Sequence, residues 1–92
     1  MEIEIDPVKD AINRRKHEGL SLALAAELDW DRAFYVLDNR FHYDEIRQNA
    51  IVPLDDRLYH VSFTERGDEI HRIISLRHAV KKEVARYVKN YR

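Results

Sequence analysis

The chain has 92 residues, of which 45% are hydrophobic and 36% charged, and this size and composition predict a single small domain over residues 1–92 with one core. No cysteine is present, so a disulfide framework, a thiolate nucleophile and a thiolate zinc site are excluded. The net charge of −1 is unevenly distributed along the chain. Residues 1–65 carry 8 Lys and Arg against 14 Asp and Glu, whereas residues 66–92 carry 8 against 3. The C-terminal part therefore either attracts a polyanion or forms a solvated basic surface.

The N-terminal segment is predicted to be a short strand followed by a helix. Ile3 and Ile5 alternate with glutamates, which is an edge-strand pattern. Asp6 can cap a helix that has proline at its first position, so we expect the first helix from Pro7 to His17. The residues that this helix is expected to bury are Val8, Ala11 and Ile12.

A second helix and two strands are predicted to follow. Gly19 ends the first helix, and Ser21 caps the second. The run Ala33–Leu37 is aromatic and β-branched, as a strand requires, and another strand is expected over Ile46–Val52, ended by Pro53.

The clearest predicted elements are a β-hairpin and a C-terminal helix. LYHVSFTE and EIHRIISL flank Arg66, Gly67 and Asp68, and Gly67 supplies the positive φ of a tight turn. From His78 onward the apolar residues recur at helical spacing, which indicates an amphipathic helix. The predicted order β-α-α-β-β-β-β-α gives an α+β domain, in which helices cover a small antiparallel sheet.

The hairpin register predicts a core face and a polar face. With Gly67 and Asp68 as the central turn residues, Arg66 lies opposite Glu69 and Phe63 opposite Arg72. The predicted core face holds Tyr59, Val61, Phe63, Glu65, Ile70, Arg72, Ile74 and Leu76. The predicted polar face holds His60, Ser62, Thr64, Arg66, His71, Ile73, Ser75 and Arg77. Its arginine, histidine and hydroxyl groups are suited to binding and polarising a phosphodiester.

Two residues each permit two interpretations. Arg72 has the parity of the core residues, so it either forms an ion pair with Glu65 at the sheet edge or takes a direct part in catalysis. His17 either shuttles protons beside the polar face of the sheet or is a cation at the end of a helix.

The sequence lacks the signals of several protein classes. The acidic N-terminus has none of the features of a signal peptide, and no apolar run reaches the roughly 18 residues of a membrane span. We therefore expect a soluble cytoplasmic protein that does not contact membranes. The five histidines show no metal-ligand spacing, so no metal or other cofactor is expected.

Two stretches resemble the BrnT family of toxins. DPVKDAINRRKH, residues 6–17, is similar to the family opening D-P-x-K-x-x-x-N-x-x-K-H. TERGDEIHRIISLRHAVKKEVARY, residues 64–87, resembles the ending T-x-R-G-x-x-I-R-I-I-S-A-R-x-A-x-x-x-E-x-x-x-Y, and Glu45 with Arg47 matches an E-x-R between the two. The polar residues that match are Lys9, Asn13, Lys16, His17, Glu45, Arg47, Arg66, Arg72, Ser75, Arg77, Glu83 and Tyr87.

This resemblance implies a RelE-like domain and a ribonuclease toxin of a type II toxin–antitoxin system. Such a toxin blocks translation, and a cognate antitoxin that also binds operator DNA holds it inactive. Operator DNA is then contacted only through the antitoxin complex. The alternative is a catalytically inactive RelE-like module that binds a partner protein within a DNA-binding repressor complex.

The resemblance also leads to a hypothesis for cleavage of RNA without a metal ion. The 2′-hydroxyl would attack the adjacent phosphorus, which requires a base, an acid and cations beside the phosphoryl oxygens. Arg66, Arg72 and Arg77 are assigned to the scissile phosphate, and His17 and Glu45 to proton transfer. The residues assigned to RNA binding are Lys9, Lys16, Arg47 and Ser75.

Overall fold

The structure, a computed structural model, describes residues 1–36, 41–42, 45–67 and 69–91. Its strands are β1 (Glu2–Ile5), β2 (Phe34–Val36), β3 (Phe41–His42), β4 (Glu45–Leu54), β5 (Arg57–Arg66) and β6 (Ile70–His78). Its helices are α1 (Pro7–Lys16), α2 (Lys81–Asn90) and two 3-10 helices, Leu22–Glu27 and Trp30–Arg32.

The strands form one sheet in the order β1-β6-β5-β4-β2, with β3 paired to β4. β1 runs parallel to β6, and the other described pairs are antiparallel. The predicted α+β class is therefore confirmed, although β3 was not predicted. None of the helices in the described part of the chain is long and apolar enough to span a membrane.

One face of the sheet carries the hydrophobic core. The first 3-10 helix covers this face and buries Leu22 and Ala25 completely. Trp30 packs edge-on against Phe63, with ring centroids 5.5 Å apart, and its indole N–H donates to the Ala25 carbonyl at 2.8 Å. The remaining buried members of this core are Leu28, Ala33, Ala50, Val52, Tyr59, Val61, Ile73 and Leu76.

Helix α1 begins as predicted, but it does not bury its apolar residues. The Asp6 carboxylate accepts a hydrogen bond from Val8 N at 2.8 Å, and Pro7 is the first helical residue. The predicted burial of Val8, Ala11 and Ile12 is wrong, because all three are exposed. The buried residue of this helix is Asn13, so α1 docks on the sheet through a polar side chain rather than through an apolar stripe.

The second predicted helix is a 3-10 helix, and the predicted end of the next long strand is wrong. The Ser21 hydroxyl caps the 3-10 helix by accepting from Ala23 N at 3.0 Å, as expected. Strand β4 continues through Pro53, which pairs with Leu58. The Pro53 carbonyl accepts from Asp29 N at 2.9 Å, so it points away from β5, and the missing proline N–H leaves the ladder with β5 intact.

Helix α2 packs against the second 3-10 helix and the start of β2. The hydroxyl of Tyr87 donates to the Arg32 carbonyl at 2.8 Å, and that of Tyr91 donates to the Ala33 carbonyl at 2.6 Å. Tyr87 is buried, whereas the predicted apolar stripe otherwise stays partly exposed at Val80, Val84, Val88 and Tyr91.

The hairpin register differs from the predicted one. Arg66 pairs with Ile70 and Phe63 with Ile73, so three residues rather than two connect the strands. Gly67 has the expected positive φ of 65°, and Asp68 lies outside the described residues. The register of the hairpin shifts a second time between Phe63 and Ser62. Phe63 pairs with Ile73 but Ser62 pairs with Ser75, so Ile74 is an extra residue that forms a β-bulge.

The longer turn reverses the predicted faces of residues 70–73 in β6, and the bulge restores the predicted faces of the residues after Ile74. His71 and Ile73, predicted on the polar face, lie in the core beside Phe63. Arg72 and Ile70 were both predicted on the core face. Arg72 pairs with Thr64 and Ile70 with Arg66, and both lie on the polar face instead. The predicted ion pair of Arg72 with Glu65 is wrong for the same reason, because neighbouring residues of a strand point to opposite faces.

Candidate functional site

The sheet face opposite the core carries polar residues on four adjacent strands. One row across the sheet holds Glu4, Arg72, Thr64 and Arg47, in the order β1, β6, β5, β4. The next row holds Ser75, Ser62 and Asn49, and the Ser62 hydroxyl donates to the Asn49 Oδ1 atom at 2.6 Å. This arrangement places hydrogen-bonding and cationic groups on the sheet face opposite the core cluster, where Ser62 and Thr64 are themselves buried.

Helix α1 flanks this face at the edge of β6. Pairing of β1 with β6 ends at Ile5 and Ile73, so Leu76 has no strand on its outer side. The Asn13 side chain takes that place, donating to the Leu76 carbonyl at 2.8 Å and accepting from Leu76 N at 3.0 Å. The helix and the polar face therefore form two walls of a concave surface.

A cavity of about 360 Å³ lies between these two walls. The residues that line it are Lys9, Ile12, Asn13, Lys16, His17, Arg47, Ile74 and Ser75. The structure thus brings together five residues that the sequence assigned to RNA binding or proton transfer. They come from three separate parts of the chain: Lys9, Lys16 and His17 from α1 and its end, Arg47 from β4, and Ser75 from β6.

The lining of this cavity is cationic. Lys9, Lys16 and Arg47 carry positive charges, and no carboxylate is among the described residues that line it. The Nε atom of Arg47 is buried without a hydrogen-bond partner in the described part of the chain. Because a concave surface of low dielectric strengthens the field of such charges, the cavity favours an anion of phosphate size or larger.

A second, smaller cavity of about 180 Å³ adjoins the first. Its lining residues are Lys16, His17, Glu18, Leu20, Arg77 and His78. Lys16 and His17 line both cavities, so they stand at the junction. A chain of phosphates that passes from one cavity to the other would therefore pass these two residues.

The three arginines assigned to the scissile phosphate all have carboxylate partners. Arg66 Nη1 lies 2.6 Å from Glu4 Oε1, and Arg72 lies 3.7 Å from Glu4 and 3.8 Å from Asp6. Neither of them lines the larger cavity. Of the three, only Arg77 reaches the cavities, at the wall of the smaller one.

Arg77 is held by Glu83 from helix α2. Two hydrogen bonds join them, Nη1 to Oε1 at 2.8 Å and Nη2 to Oε2 at 3.0 Å, and Glu83 also accepts from Val80 N at 2.9 Å. His60 Nε2 lies 3.8 Å from the same carboxylate. Burial of Glu83 opposes its ionisation, but these donors outweigh burial and lower its pKa below the usual value.

The side chain of Glu45 lies outside the described residues, although its backbone begins β4. Asn13 and Glu83 were not assigned to the site, and their positions in the two matching stretches were the only sequence signal for them.

Among the described residues, no three His, Asp or Glu side chains form a group that could hold a metal ion.

Two comparisons with known proteins, one with family models and one with solved structures, match the same family. A family model described as "Ribonuclease toxin, BrnT, of type II toxin-antitoxin system" matches residues 6–83, a span that contains every residue lining the two cavities. The crystal structure of the Brucella abortus ribonuclease toxin BrnT is similar to this fold, with a TM-score of 0.64 and 27% sequence identity. The similarity covers 88% of this chain and 99% of that chain. Curated protein sequences give no match.

Proposed function

This chain belongs to the BrnT family of ribonuclease toxins of type II toxin–antitoxin systems, and we propose that it cleaves RNA without a metal ion in the cavity between α1 and the sheet. The observation that supports this proposal is the cationic lining of that cavity by Lys9, Lys16 and Arg47, beside His17. Cations beside the phosphoryl oxygens and side chains that transfer protons are what such a reaction requires of the protein.

In the proposed reaction, the RNA supplies its own nucleophile. The 2′-oxygen attacks the adjacent phosphorus and forms a bond to it, while the bond from phosphorus to the 5′-oxygen breaks. One proton leaves the 2′-hydroxyl and one proton joins the 5′-oxygen. The products are a 2′,3′-cyclic phosphate and a 5′-hydroxyl, so no water is consumed.

His17 is the proposed proton-transfer residue, with Glu45 as the second candidate. An imidazole is the side chain whose usual pKa allows it to give or accept a proton between pH 5 and 8. His17 stands at the junction of the two cavities, which is the position that a scissile phosphate would occupy when its neighbours fill both.

The proposed binding groups act on the phosphate oxygens. Lys9, Lys16 and Arg47 stabilise the negative charge that develops there, and the Ser75 hydroxyl donates a hydrogen bond. Arg77 binds a neighbouring phosphate from the smaller cavity. For Arg66 and Arg72 we propose contact with the flanking RNA backbone, in which phosphate oxygens replace the carboxylates of Glu4 and Asp6.

Cleavage of RNA by this site would inhibit translation, and we propose that a cognate antitoxin neutralises the toxin. Acidic residues of an antitoxin fit the same cationic cavity, and their binding would exclude RNA. Contact with operator DNA is proposed only through the antitoxin complex.

One observation favours a second candidate function, a catalytically inactive module that only binds its partner. Arg66, Arg72 and Arg77 are all neutralised by carboxylates of the same chain, as in a structural network. In that case the cavity would be a docking surface and not a reaction site.

The two functions differ in their response to the 2′-hydroxyl. The test uses a defined RNA and an all-deoxy oligonucleotide of the same sequence, each incubated with the protein in excess EDTA. The proposed ribonuclease cleaves the RNA to 2′,3′-cyclic ends and leaves the deoxy strand intact. Binding of both strands without cleavage, also in a separate reaction that contains ribosomes and Mg²⁺ instead of EDTA, would support the inactive module instead.

A further inference from the structure

The side chain of Asn13 uses all of its hydrogen-bonding groups within the protein. It is 3% exposed. Its Nδ2 atom donates to the carbonyls of Leu76 at 2.8 Å and Leu20 at 3.0 Å, and its Oδ1 atom accepts from Leu76 N at 3.0 Å. A primary amide has two donor hydrogens and an oxygen that can accept two hydrogen bonds, so the side chain makes three of its four possible hydrogen bonds, all to two backbone segments.

These contacts replace a missing strand. The outer N–H and carbonyl of Leu76 lie past the end of the pairing between β1 and β6, where unpaired buried groups would be costly. The amide of Asn13 presents the same donor and acceptor as a peptide group. No other residue of α1 is buried, so the docking of this helix on β6 depends on that amide.

Asn13 also fixes the segment that carries His17. The backbone carbonyl of Asn13 accepts from His17 N at 2.9 Å, and Leu20 N donates to the His17 carbonyl at 3.0 Å. Between them, Glu18 and Gly19 form a turn with φ of 56° and 82°. The Asn13 side chain binds the Leu20 carbonyl and so closes this turn from its other end.

Three segments meet at Asn13, namely helix α1, the turn that ends at Leu20, and strand β6 at Leu76. They carry the two walls of the cavity. Lys9, Lys16 and His17 lie on one side of it, and Ser75 precedes Leu76 in β6 on the other. The side-chain amide of Asn13 therefore sets the distance between the cations of α1 and the polar face of the sheet. A displacement of about 1 Å in such an arrangement can lower a reaction rate by roughly 100-fold.

We infer that Asn13 is a positioning residue for RNA cleavage, acting by holding His17 and Lys16 against β6. This inference rests on the proposed ribonuclease function. Asn13 does not contact the reacting atoms, so its effect is transmitted through the geometry of the cavity. The chemical step, measured by kcat, is expected to depend on it more strongly than KM, because long lysine side chains can follow a displaced phosphate.

Two substitutions test the inference at different levels of disruption. Asn13→Asp keeps the shape but loses both donated hydrogen bonds and places a carboxylate against two carbonyl oxygens. Asn13→Gln keeps the amide but moves it by one methylene group, so it also serves if Asn13→Asp does not fold. The matched control is Leu28→Ala, a core change on the other face of the sheet that destabilises the fold without touching the cavity.

The measurement is kcat and KM for a defined RNA, at a temperature where urea titration shows each variant to be folded. We expect kcat to fall about 10- to 100-fold in a folded Asn13 variant, with KM changed less than about threefold, while Leu28→Ala keeps its kcat. Wild-type kcat in a folded Asn13→Gln variant would overturn the inference, as would an equal loss in Leu28→Ala. If the wild-type protein itself cleaves no RNA, the proposed function fails, and this outcome is distinct because every variant is then silent.

Discussion

Arg77 and Glu83 form a two-point ion pair, with Nη1 to Oε1 at 2.8 Å and Nη2 to Oε2 at 3.0 Å, that ties strand β6 to the first turn of helix α2. The pair stands beside the smaller cavity, which Arg77 lines. It therefore orients an arginine of the candidate site and also attaches the C-terminal helix to the sheet.

Removing the charge of Glu83 is expected to destabilise the fold. Glu83→Gln loses the charged hydrogen bonds to Arg77, and we expect the free energy of unfolding to fall by about 1–3 kcal/mol at pH 7, measured by urea titration. Glu27→Gln, at an exposed position, is the control and should change it by less than about 0.5 kcal/mol.

The pH dependence of this effect has a defined sign. The pKa of Glu83 is lowered in the folded state from its ordinary value of 4.5. Its stabilising contribution is therefore present above pH 4.5 and is lost as the pH falls through the lowered pKa. The difference between wild type and Glu83→Gln should shrink over that range, and a difference that stays constant would contradict the assignment.

Burial of His71 makes the fold sensitive to mildly acidic pH. Its ring stacks on Phe63 with centroids 4.4 Å apart and meets Trp30 edge-on at 5.3 Å. Burial lowers the pKa of His71 below its ordinary value of 6.5, and the negative charge of Glu65 only partly opposes this. The neutral ring is therefore favoured in the folded state.

A histidine of this kind stabilises the fold above its unfolded pKa and loses that contribution below it. The unfolded chain binds a proton at pH values where the folded chain does not, so stability falls as the pH drops below about 6.5. His71→Phe should show a smaller decrease between pH 7.5 and 5.5 in urea titrations than wild type. Equal decreases in both proteins would refute this explanation.

Charge reversal at the cavity is expected to weaken RNA binding more than the same change beside it. Lys16 lines both cavities, whereas Arg15 is exposed on the same helix and lines neither. Lys16→Glu should reduce the affinity for an uncleavable deoxy oligonucleotide and make its salt dependence shallower by about 0.7 per lost phosphate contact, as measured by fluorescence anisotropy. Arg15→Glu is the control with an identical charge change, and equal effects of the two would place the binding surface elsewhere.

Glu4 is expected to compete with RNA for two arginines. Its carboxylate lies 2.6 Å from Arg66 and 3.7 Å from Arg72. Glu4→Gln removes this competitor and should tighten the binding of the same oligonucleotide at low salt, relative to Glu2→Gln on the same strand. Unchanged affinity would mean that these two arginines have a structural role only.

Local signals predicted the elements of the fold, but not the register that decides which residues reach the site. Asp6 and Pro7 correctly predicted the start of α1, and Gly67 correctly predicted the hairpin. The bulge at Ile74 has no signature in the sequence, because an extra residue in a strand is accommodated by packing with its neighbours. The three-residue turn reverses the faces of Arg72 and His71 relative to the predicted two-residue turn, and the bulge restores the predicted faces of Ser75 and Arg77.

The residues assigned to the candidate site fall into two groups, those that the structure brings together and those that it holds elsewhere, because local patterns do not predict the sheet order. The family resemblance pointed to the cavity residues Lys9, Lys16, His17 and Arg47, and the structure brings these together. It also pointed to Arg66 and Arg72, whose carboxylate partners lie far away in sequence, as Glu4 does from Arg66. Pairing of charges across 62 residues depends on the sheet order, which local patterns do not contain.

The most direct test of the cavity as a reaction site is the initial rate of cleavage of a defined RNA in excess EDTA by wild type, His17→Gln and Arg57→Gln. Arg57 lies at the β4–β5 turn and lines neither cavity, so it controls for the loss of a surface cation. We predict fragments with 2′,3′-cyclic ends, a rate lowered about 100-fold or more in folded His17→Gln, and an unchanged rate in Arg57→Gln. Cleavage by His17→Gln at the wild-type rate, or no cleavage by the wild type, would contradict the proposed site.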